Sequence, residues 1–451
     1  MISAIVMAAG RGTRMNSKYA KTMHKILGKP MIEHTYDVLE KIGVENKVFV
    51  VGYGKEAIMN HLQDKVQYAV QEPLLGTAHA VMQAEQLKEN VGKTLIINGD
   101  CPLITAETYK LLLEKTTKEY PLVVLTTMLK EPGSYGRVVR EDNQLLEIVE
   151  RKDCNEKQVE IKEINAGIYC VDNELLWKYL PEVDNNNNQK EYYITDLVKI
   201  FRKHGHKVRP LLIEDFEELQ GINSMKELAS ATRWLQMKVN SYWMDRGVNI
   251  IDPERTYIST DAIIGSDTII YPNVRIEGKA IIGEDNVLTE GTYLENVTFG
   301  KNNTIKCSRI TDSKIGNNVT IGPNSHLRNG CEIADKAHIG NYVEMKNVKF
   351  GHDSKCAHLT YLGDTTVGEY CNFGCGVVTV NYDGKYKYHT EIGDHVFIGS
   401  NVNLIAPVDI GDYTVLAAGS TITADVKEGD LAIARVRQEI KPGYGFKYLN
   451  K

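Results

Sequence analysis

Aliphatic residues recur at every sixth position in the C-terminal half of the chain. This repeat occupies three blocks of positions: 264, 270, 276, 282, 288 and 294; 315, 321, 327, 333, 339 and 345; and 392, 398, 404, 410, 416 and 422. A period of six fits neither the roughly 3.6-residue period of a helix nor the roughly 2-residue period of a strand. It is typical of a solenoid in which each hexad forms a short strand and a corner. Three hexads would close one triangular coil, with the aliphatic residues forming a core between stacked coils.

Glycine often follows the aliphatic residue of a hexad, as at Gly265, Gly283, Gly322 and Gly340. A residue without a side chain suits a corner where two backbones approach closely. The alternative is a sandwich of unrelated short strands. Such a sandwich would have no reason to keep one register from position 264 to position 422.

The N-terminal half alternates two patterns. Runs rich in β-branched residues, at 2–7, 48–51, 94–97, 122–126 and 164–171, predict strands, and helical spacing occurs at 31–42 and 78–87. This alternation predicts a doubly wound α/β sheet. Sites in such sheets lie at the carboxyl ends of the strands, so the loops after Met7 and Ile97 are candidates.

The first of these loops contains Gly10 and Gly12, followed by Arg14 and Lys21. Glycines let a backbone approach a phosphate, and the two cations could hold one. The loop is not a Walker A motif, and Met15 replaces the third glycine of a dinucleotide fingerprint. A structural turn remains an alternative at this point.

The second loop places Asp100 directly after a predicted strand. From that position a carboxylate can bind Mg²⁺ that is also held by substrate phosphates. The alternative is that Asp100 caps a helix beginning near Thr105.

Composition restricts the function classes. The chain has 451 residues, of which 42% are hydrophobic and 25% charged, and its net charge of −6 argues against broad phosphate neutralisation on a nucleic acid. The amino terminus lacks a basic region, and no apolar run reaches the roughly 18 residues of a membrane span. Eight cysteines occur without a CxxC pair, so we expect neither disulfides nor zinc, and a cytoplasmic location.

Several motifs together resemble a known family. They lie at 8–15, 71–79, 99–103, 134–137, 148–153, 163–168, 191–196 and 221–223. These segments resemble the sugar-nucleotide pyrophosphorylases. With the hexapeptide half added, the chain is similar end to end to the bifunctional N-acetylglucosamine-1-phosphate uridyltransferases and glucosamine-1-phosphate acetyltransferases.

The resemblance implies three segments. A Rossmann-like nucleotidyltransferase domain would occupy 1–223, and a left-handed parallel β-helix of hexapeptide repeats with a C-terminal tail would occupy 248–451. Between them a linker helix is expected at 224–247, where Ser224 and Glu227 form a capping-box pattern. The family also implies a homotrimer whose acetyltransferase sites lie between chains.

For the N-terminal domain, the resemblance implies transfer of UMP from UTP to N-acetylglucosamine 1-phosphate with release of pyrophosphate. Uracil and ribose would contact Met7, Ala8, Ala9, Gly10, Gln71, Gly76 and Thr77. Arg14 and Lys21 would hold the triphosphate, and Asp100 and Asn223 would bind Mg²⁺. The sugar would contact Gly136, Glu150 and Asn165. The chain departs from the family at Asn98, a candidate sugar contact where some members have Tyr, and at Ala20, where Pro is frequent.

Two interruptions of the six-residue pattern, at 346–366 and 380–391, predict loops on a binding face of the coil. The first contains His358, and coil spacing places Arg328, Lys346 and Tyr361 near it. A single histidine on a β-structure is often structural. The neighbouring cations favour a functional site instead.

For the coil, the resemblance implies acetyl transfer from acetyl-CoA to glucosamine 1-phosphate. His358 would be the general base, since an imidazole accepts a proton near neutral pH, and Glu344 would orient it. Arg328, Lys346, Tyr361 and Asn372 would bind the amino sugar phosphate. Acetyl-CoA would contact Cys375, Asn381, Tyr382, Ser400, Ala418 and Arg435. Cys375, Asn329 and Arg437 depart from the residues that family members often show.

Two other readings remain. The coil could serve only for trimer formation and regulation of a pyrophosphorylase, or the whole chain could be a scaffold without activity. His358, Lys346 and Arg328 argue against the first, because a structural coil does not need them. The glycine-rich and Asp100 loops argue against the second.

Overall fold

The computed structural model describes residues 1–142 and 144–449. The chain forms two compact units, Met1–Leu235 and Gln236–Lys451. The long helix Met225–Met244 contributes residues to both units. Of the helices in the described ranges, none is long and apolar enough to cross a membrane.

The first unit is built on one mixed sheet. Its strands are β1 (Ile2–Ala8), β2 (Asn46–Val51), β3 (Gln67–Val70), β4 (Lys93–Asn98), β5 (Leu122–Met128), β6 (Arg137–Glu141), β7 (Gln144–Val149), β8 (Glu163–Asp172) and β9 (Val208–Leu212). The order is β9-β5-β8-β4-β1-β2-β3, and the β6–β7 hairpin joins through β8. Residues in the middle of β1, such as Ala4 and Val6, are fully buried because helices cover both faces.

The helices of this unit connect the strands. They are α1 (Met31–Lys41), α2 (Lys55–Leu62), α3 (Thr77–Met82), α4 (Ala106–Lys115), α5 (Glu156–Val159), α6 (Asn173–Tyr179), α7 (Leu197–Lys203), α8 (Phe216–Leu219) and α9 (Met225–Met244). The prediction of alternating strands and helices is confirmed. The helix predicted over 78–87 is shorter, because the backbone at Ala84 leaves the helical region before a separate 3-10 turn.

The sequence pattern does not predict the direction of β8. This strand is antiparallel to both β4 and β5, whereas β1 pairs in parallel with β2 and β4. A buried apolar run looks the same in either direction. The sheet is therefore mixed rather than purely parallel.

The second unit is a coil of short parallel strands, β10–β35, followed by a short helix Phe446–Leu449. Two strands, β25 (His338–Phe350) and β26 (Lys355–Val367), are 13 residues long. The others are Asn249–Ile250, Tyr257–Ile258, Ile263–Ile264, Ile269–Ile270, Arg275–Glu277, Ile281–Ile282, Val287–Leu288, Tyr293–Glu295, Thr298–Phe299, Thr304–Ile305, Arg309–Thr311, Lys314–Ile315, Thr320–Ile321, His326–Arg328, Glu332–Ile333, Asn372–Phe373, Val378–Val380, Thr390–Ile392, Phe397–Ile398, Asn403–Ile405, Val408–Ile410, Val415–Leu416, Thr421–Ile422 and Leu431–Ala432.

Most short strands pair with the third strand after them, so three strands make one coil. Ile264, for example, lies beside Ile282, and Ile282 lies beside Phe299. Every aliphatic position of the three predicted blocks is buried, with at most 4% of the residue exposed. The predicted solenoid is confirmed, and its geometry is consistent with a left-handed β-helix.

Glycines at the corners are required by close approach. A Cβ on Gly265 would lie 2.6 Å from the backbone nitrogen of Glu284 on the next coil. At Gly340 it would overlap the carbonyl oxygen of Ala357. Any larger residue would separate the coils locally.

The loop predicted over 346–366 is wrong. Strands β25 and β26 run through this segment and pair in register, so the coil continues. The core positions here are Phe350, Cys356 and Leu362, all almost fully buried. The first two are not aliphatic, and the step from Met345 to Phe350 is five residues rather than six, so the six-residue pattern was interrupted. The second interruption does leave the coil, as a loop closed by a bridge between Tyr382 and Lys387.

The register of the hexads predicts that two neighbouring isoleucines contribute very differently to the free energy of unfolding. Ile282 points into the core and is 2% exposed, whereas Ile281 points outward and is 49% exposed. We expect Ile282→Ala to lower the free energy of unfolding by about 2–5 kcal/mol, because it removes buried methyl groups and leaves a cavity. The matched variant Ile281→Ala should change it by less than about 0.5 kcal/mol. Urea unfolding of the full chain, followed by far-UV circular dichroism, measures both, and equal losses would contradict the inward register.

Candidate active sites

The first candidate site lies at the carboxyl ends of β1 and β4. These strands are neighbours, with Met7 beside Asn98. Two adjoining cavities of about 290 and 220 Å³ open here and share Thr77, Asn98 and Asp100. The larger is lined, among others, by Met7, Ala8, Ala9, Gly10, Lys21, Gln71, Gly76, Thr77, Asn98 and Asp100, and the smaller also by Gly136, Glu150, Asn165 and Asn223. Of the predicted residues, Arg14 lines neither cavity and lies on a 3-10 turn, Thr13–Met15.

Lys21, Asp100 and Asn223 form a polar cluster where the cavities meet. The Nζ of Lys21 donates to Oδ2 of Asp100, and it lies 2.6 Å from Oδ1 of Asn223. Two oxygen ligands from distant parts of the chain therefore converge on one positive charge. Asp100 does not cap a helix, because Thr105 caps α4 by accepting from the backbone of Thr108.

The loop before α3 is held by Gln71, which is 4% exposed. Its Nε2 donates to the carbonyl of Gly76 at 2.9 Å and lies 3.1 Å from Nδ1 of His79. Gly76 has φ +112°, and a Cβ there would lie 2.5 Å from the carbonyl oxygen of Tyr192. Only glycine fits this turn, which brings backbone close to the larger cavity.

The smaller cavity has a buried polar wall. Asn165 donates to the hydroxyl of Tyr169 at 2.8 Å and accepts from the backbone N–H of Gly167 at 2.9 Å. Burial raises the pKa of Glu150, and nearby Asp153 adds to the effect. Such a wall of amide and carboxyl groups suits recognition of the hydroxyl and amide groups of a sugar.

Sequence reasoning missed several lining residues, including Tyr135, Tyr169, Thr195 and Cys101. Burial raises the pKa of Tyr135 to about 12, so its hydroxyl stays a hydrogen-bond donor. Burial and the adjacent Asp100 raise the pKa of Cys101, which keeps this thiol protonated and poorly nucleophilic. The motifs at 134–137 and 191–196 carried the only signal for Tyr135 and Thr195.

The second candidate site lies on one face of the coil, where outward residues of successive strands form columns. Arg328 lies beside Lys346, Glu344 beside Tyr361, and Asn341 beside His358. The register therefore places three of the predicted sugar phosphate ligands on neighbouring strands, and His358 lies on the same strand as Tyr361, three residues before it. His358 is exposed and points away from the core.

The predicted contact between Glu344 and His358 is not made. Glu344 instead accepts from Nη2 of Arg328 at 2.6 Å, and Nδ1 of His358 lies 3.4 Å from Oδ1 of Asn341. The register explains this, because Asn341 rather than Glu344 lies directly beside His358. The orienting role of Glu344 stays a prediction.

Two further charged residues join this face and were missed from the sequence. Lys346 lies 3.2 Å from both carboxylate oxygens of Asp364. Lys387, from the loop that leaves the coil, lies close enough to Lys346 that the pKa of Lys387 is lowered. Together with Arg328, the two lysines form a cationic cluster suited to a phosphate group.

Four of the six residues predicted to contact acetyl-CoA lie along one corner of successive coils. The carbonyl of Cys375 accepts from the backbone of Asn401, and that of Ser400 accepts from the backbone of Gly419, each at 2.8 Å. Arg435 donates to the carbonyl of Ala418 at 2.7 Å. The remaining two residues lie at the loop that leaves the coil: Asn381 is buried and Tyr382 is exposed.

Asn372 is placed differently. It pairs with Lys355 and Phe397, on a face of the coil other than that of Lys346 and Tyr361. Within the described residues of one chain, it is therefore not brought to the proposed phosphate ligands.

Comparison with known proteins agrees with this two-site geometry. The Nucleotidyl transferase family matches residues 3–249, and the Bacterial transferase hexapeptide (six repeats) family matches 312–347 and 389–424. The bifunctional protein GlmU of Listeria monocytogenes serotype 4b (strain CLIP80459) is 46% identical over 450 residues, covering 99% of this chain and 98% of that protein. The chain belongs to the GlmU family of bifunctional proteins.

Other members of the family match as fully. GlmU of Halalkalibacterium halodurans is 46% identical over 444 residues, covering 98% of each chain. GlmU of a Geobacillus species (strain WCH70) is 47% identical over 444 residues, covering 98% of this chain and 97% of that protein. The predicted enzyme, a bifunctional nucleotidyltransferase with a hexapeptide-repeat transferase domain, is confirmed.

The two hexapeptide matches leave a gap between 347 and 389. His358, Tyr361, Asp364, Cys375 and Lys387 all lie in this gap. The segment that departs from the regular repeat therefore carries the candidate base, whereas Arg328, Lys346 and Ser400 lie within the matched repeats.

The buried carboxyl of Glu150 predicts a pH-dependent change in stability. Its pKa is raised in the folded state, so ionisation destabilises the fold; the penalty is absent below the unfolded pKa of about 4.3 and complete above the folded pKa. Glu150→Gln should therefore raise the melting temperature at pH 8 by about 2–4 °C, and this gain should shrink as the pH falls towards 5. Differential scanning calorimetry at both pH values measures it. The exposed Glu141→Gln is the control, and a melting temperature at pH 8 below that of the wild type would contradict the assignment.

Proposed function

We propose that the two units catalyse two consecutive steps of UDP-N-acetylglucosamine synthesis. The coil acetylates glucosamine 1-phosphate with acetyl-CoA, and the N-terminal unit transfers UMP from UTP to N-acetylglucosamine 1-phosphate and releases pyrophosphate. The observation that carries this proposal is the presence of two separate sites in one chain. Lys21 and Asp100 form a charge cluster in a cavity of the sheet unit. On the coil, Lys346, Lys387 and Arg328 form a cationic cluster next to β26, the strand on which His358 is exposed.

In the N-terminal unit, the larger cavity holds the nucleotide and the smaller one holds the sugar phosphate. This assignment is supported by the wall that the two cavities share at Thr77 and Asp100, where the sugar phosphate oxygen would meet the α-phosphorus. In-line attack needs no covalent nucleophile, so positioning and charge neutralisation carry the catalysis. Lys21 neutralises negative charge that moves onto the departing pyrophosphate, and Arg14 would act on the same triphosphate from the edge of the site.

The metal of this step is proposed to be Mg²⁺, held by Asp100 and Asn223. The fit follows from the donor set: a carboxylate and an amide oxygen already converge on the ammonium of Lys21, which stands in for a cation. Among the described residues, no group of three or more acidic, His or Cys side chains could hold a metal. Two protein ligands suit Mg²⁺, which commonly completes its shell with water and substrate phosphates and neutralises their charge.

On the coil, His358 takes a proton from the sugar amine as the nitrogen attacks the thioester carbonyl. The carbon–sulfur bond then breaks, and coenzyme A leaves as the thiol with that proton. The exposed imidazole on β26 lies beside Asn341, and β26 pairs with the strand carrying Lys346. Backbone N–H groups near Cys375 and the Ser400 hydroxyl stabilise the oxyanion, and the corner that leads to Ala418 and Arg435 holds the coenzyme.

A homotrimer is the proposed assembly, because Asn372 lies on a different face from the other amino sugar ligands. A neighbouring chain would complete the site with this residue.

The proposed location is the cytoplasm, where UTP and acetyl-CoA are available and where the eight cysteines remain free. The proposed functional boundaries are 1–223, 224–247 and 248–451.

The alternative is a nucleotidyltransferase whose coil is only structural. A structural coil needs its inward residues and corner glycines but not a cluster of like charges on its surface. Lys346 and Lys387 lie close together there with Arg328 nearby, and the single carboxylate of Asp364 offsets this repulsion only in part, so a bound anion would stabilise the cluster. The cluster therefore favours a catalytic coil.

The two-site proposal predicts reciprocal losses. Asp100→Ala should abolish pyrophosphate release because it removes the carboxylate at the phosphate site, and it should leave thiol release from acetyl-CoA within about twofold of the wild type. His358→Ala should show the opposite pattern, with acetyl transfer reduced at least about 100-fold. Both reactions are measured on the same preparations of the full chain.

Each variant controls for the folding of the other. Loss of both activities in a correctly assembled Asp100→Ala protein would contradict separate sites. Absence of acetyl transfer in the wild type would favour the structural coil.

A further inference from the structure

Asp364 is a carboxylate that the acetyl-transfer chemistry does not use directly. Its side chain is 14% exposed, and both of its oxygens lie 3.2 Å from the Nζ of Lys346. Oδ1 also accepts from Nδ2 of Asn347 at 2.9 Å, and Oδ2 accepts from Nδ2 of Asn381. Three donors from the protein thus surround this carboxylate, so it is directed at its neighbours rather than at a substrate.

Asp364 contacts Lys346, a cation that has several other ionisable groups around it. The groups that act on Lys346 are Asp364, Lys387 and Tyr361, and Arg328, beside it in register, is already paired with Glu344. Burial alone would lower the pKa of Lys346, but hydrogen bonds to Asp364 reverse the effect and raise it. The carboxylate therefore keeps Lys346 protonated next to Lys387. An ammonium has three N–H donors, and at least one remains for a phosphate oxygen.

Asp364 also holds the loop that supplies Lys387. Its partner Asn381 is 7% exposed and stands at the base of this loop. The carbonyl of Asn381 accepts from the backbone of Tyr388 at 2.8 Å, and Tyr382 forms a bridge with Lys387. Fixing Asn381 therefore fixes both ends of the loop and the direction from which Lys387 reaches Lys346.

We propose that Asp364 is the positioning residue of the amino sugar phosphate site: it aligns Lys346 on the coil with Asn381 at the base of the loop. In this way one carboxylate couples the phosphate ligands to the acetyl-CoA contact at Asn381. The inference rests on the proposed acetyltransferase function and deepens it. It assigns to Asp364 a role in substrate affinity and in the pH dependence of the reaction.

Asp364→Asn tests this role, because the amide keeps the size of the side chain but has one acceptor oxygen and no charge. We expect the KM for glucosamine 1-phosphate to rise about tenfold or more, and kcat to change by less than about threefold, as a charged hydrogen bond to a binding group is lost. The pKa of Lys346 should also fall without its carboxylate. The alkaline limb of kcat/KM for acetyl transfer should therefore move to lower pH than in the wild type.

Asp353→Asn is the matched control. Asp353 has the same left-handed backbone conformation, with φ +49° at both positions, and it also pairs with a lysine, Lys355, at 3.4 Å. It lies outside the proposed site, so KM and the pH profile should stay those of the wild type. Pyrophosphate release, measured on every preparation, reports the N-terminal unit independently.

The results distinguish failure of the proposed acetyltransferase function from failure of the positioning role of Asp364. Absence of acetyl transfer in the wild type would overturn the proposed function and this inference together. An active wild type with identical kinetics and pH profiles for Asp364→Asn and Asp353→Asn would overturn the positioning role alone. A fall in kcat at unchanged KM and unchanged pH profile would show that Asp364 only supports the fold.

Discussion

The stacking of coils through buried aliphatic residues is the constraint on which the second site depends. Leu327, Met345 and Leu362 lie next to one another in successive coils and are fully buried. Because side chains alternate across a strand, each inward residue fixes the outward residues beside it. The neighbours Arg328 and Lys346 are thereby held in one column, with no need for a contact between their own side chains. A shift of the register by one residue would turn these cations into the core.

The sheet unit achieves the same result with different elements. Parallel pairing of β1 and β4 brings the ends of two distant segments to one edge, where Met7 lies beside Asn98. The loops that follow then supply Lys21 and Asp100 to one cluster. In both units a buried backbone ladder sets the positions of the polar side chains at its edge or surface, to which we assign the chemistry. Rigid positioning of this kind suits transfer reactions that depend on alignment.

The sequence predicted those parts of the structure that repeat or that follow a strand. The hexad pattern identified the coil and its core, and the loops after two strands identified the cavities. The pattern failed at Phe350 and Cys356, because a core accepts any residue of suitable volume and the pattern counted only aliphatic ones. Lys387 was missed because a loop brings it to the site, and loop geometry carries no periodic signal. Asp364 lies on β26 and was missed because the interrupted pattern predicted a loop in that segment. The pairing of Glu344 with Arg328, rather than with His358, depends on register at the level of single residues.

The central claim is that the register of β25 and β26 builds the amino sugar phosphate site. An experimental structure of the full chain with glucosamine 1-phosphate bound tests it most directly. The account predicts the phosphate within hydrogen-bonding distance of Lys346 and Arg328, with the sugar amine directed towards the imidazole of His358. A phosphate bound elsewhere on the coil, or an amine remote from His358, would contradict it.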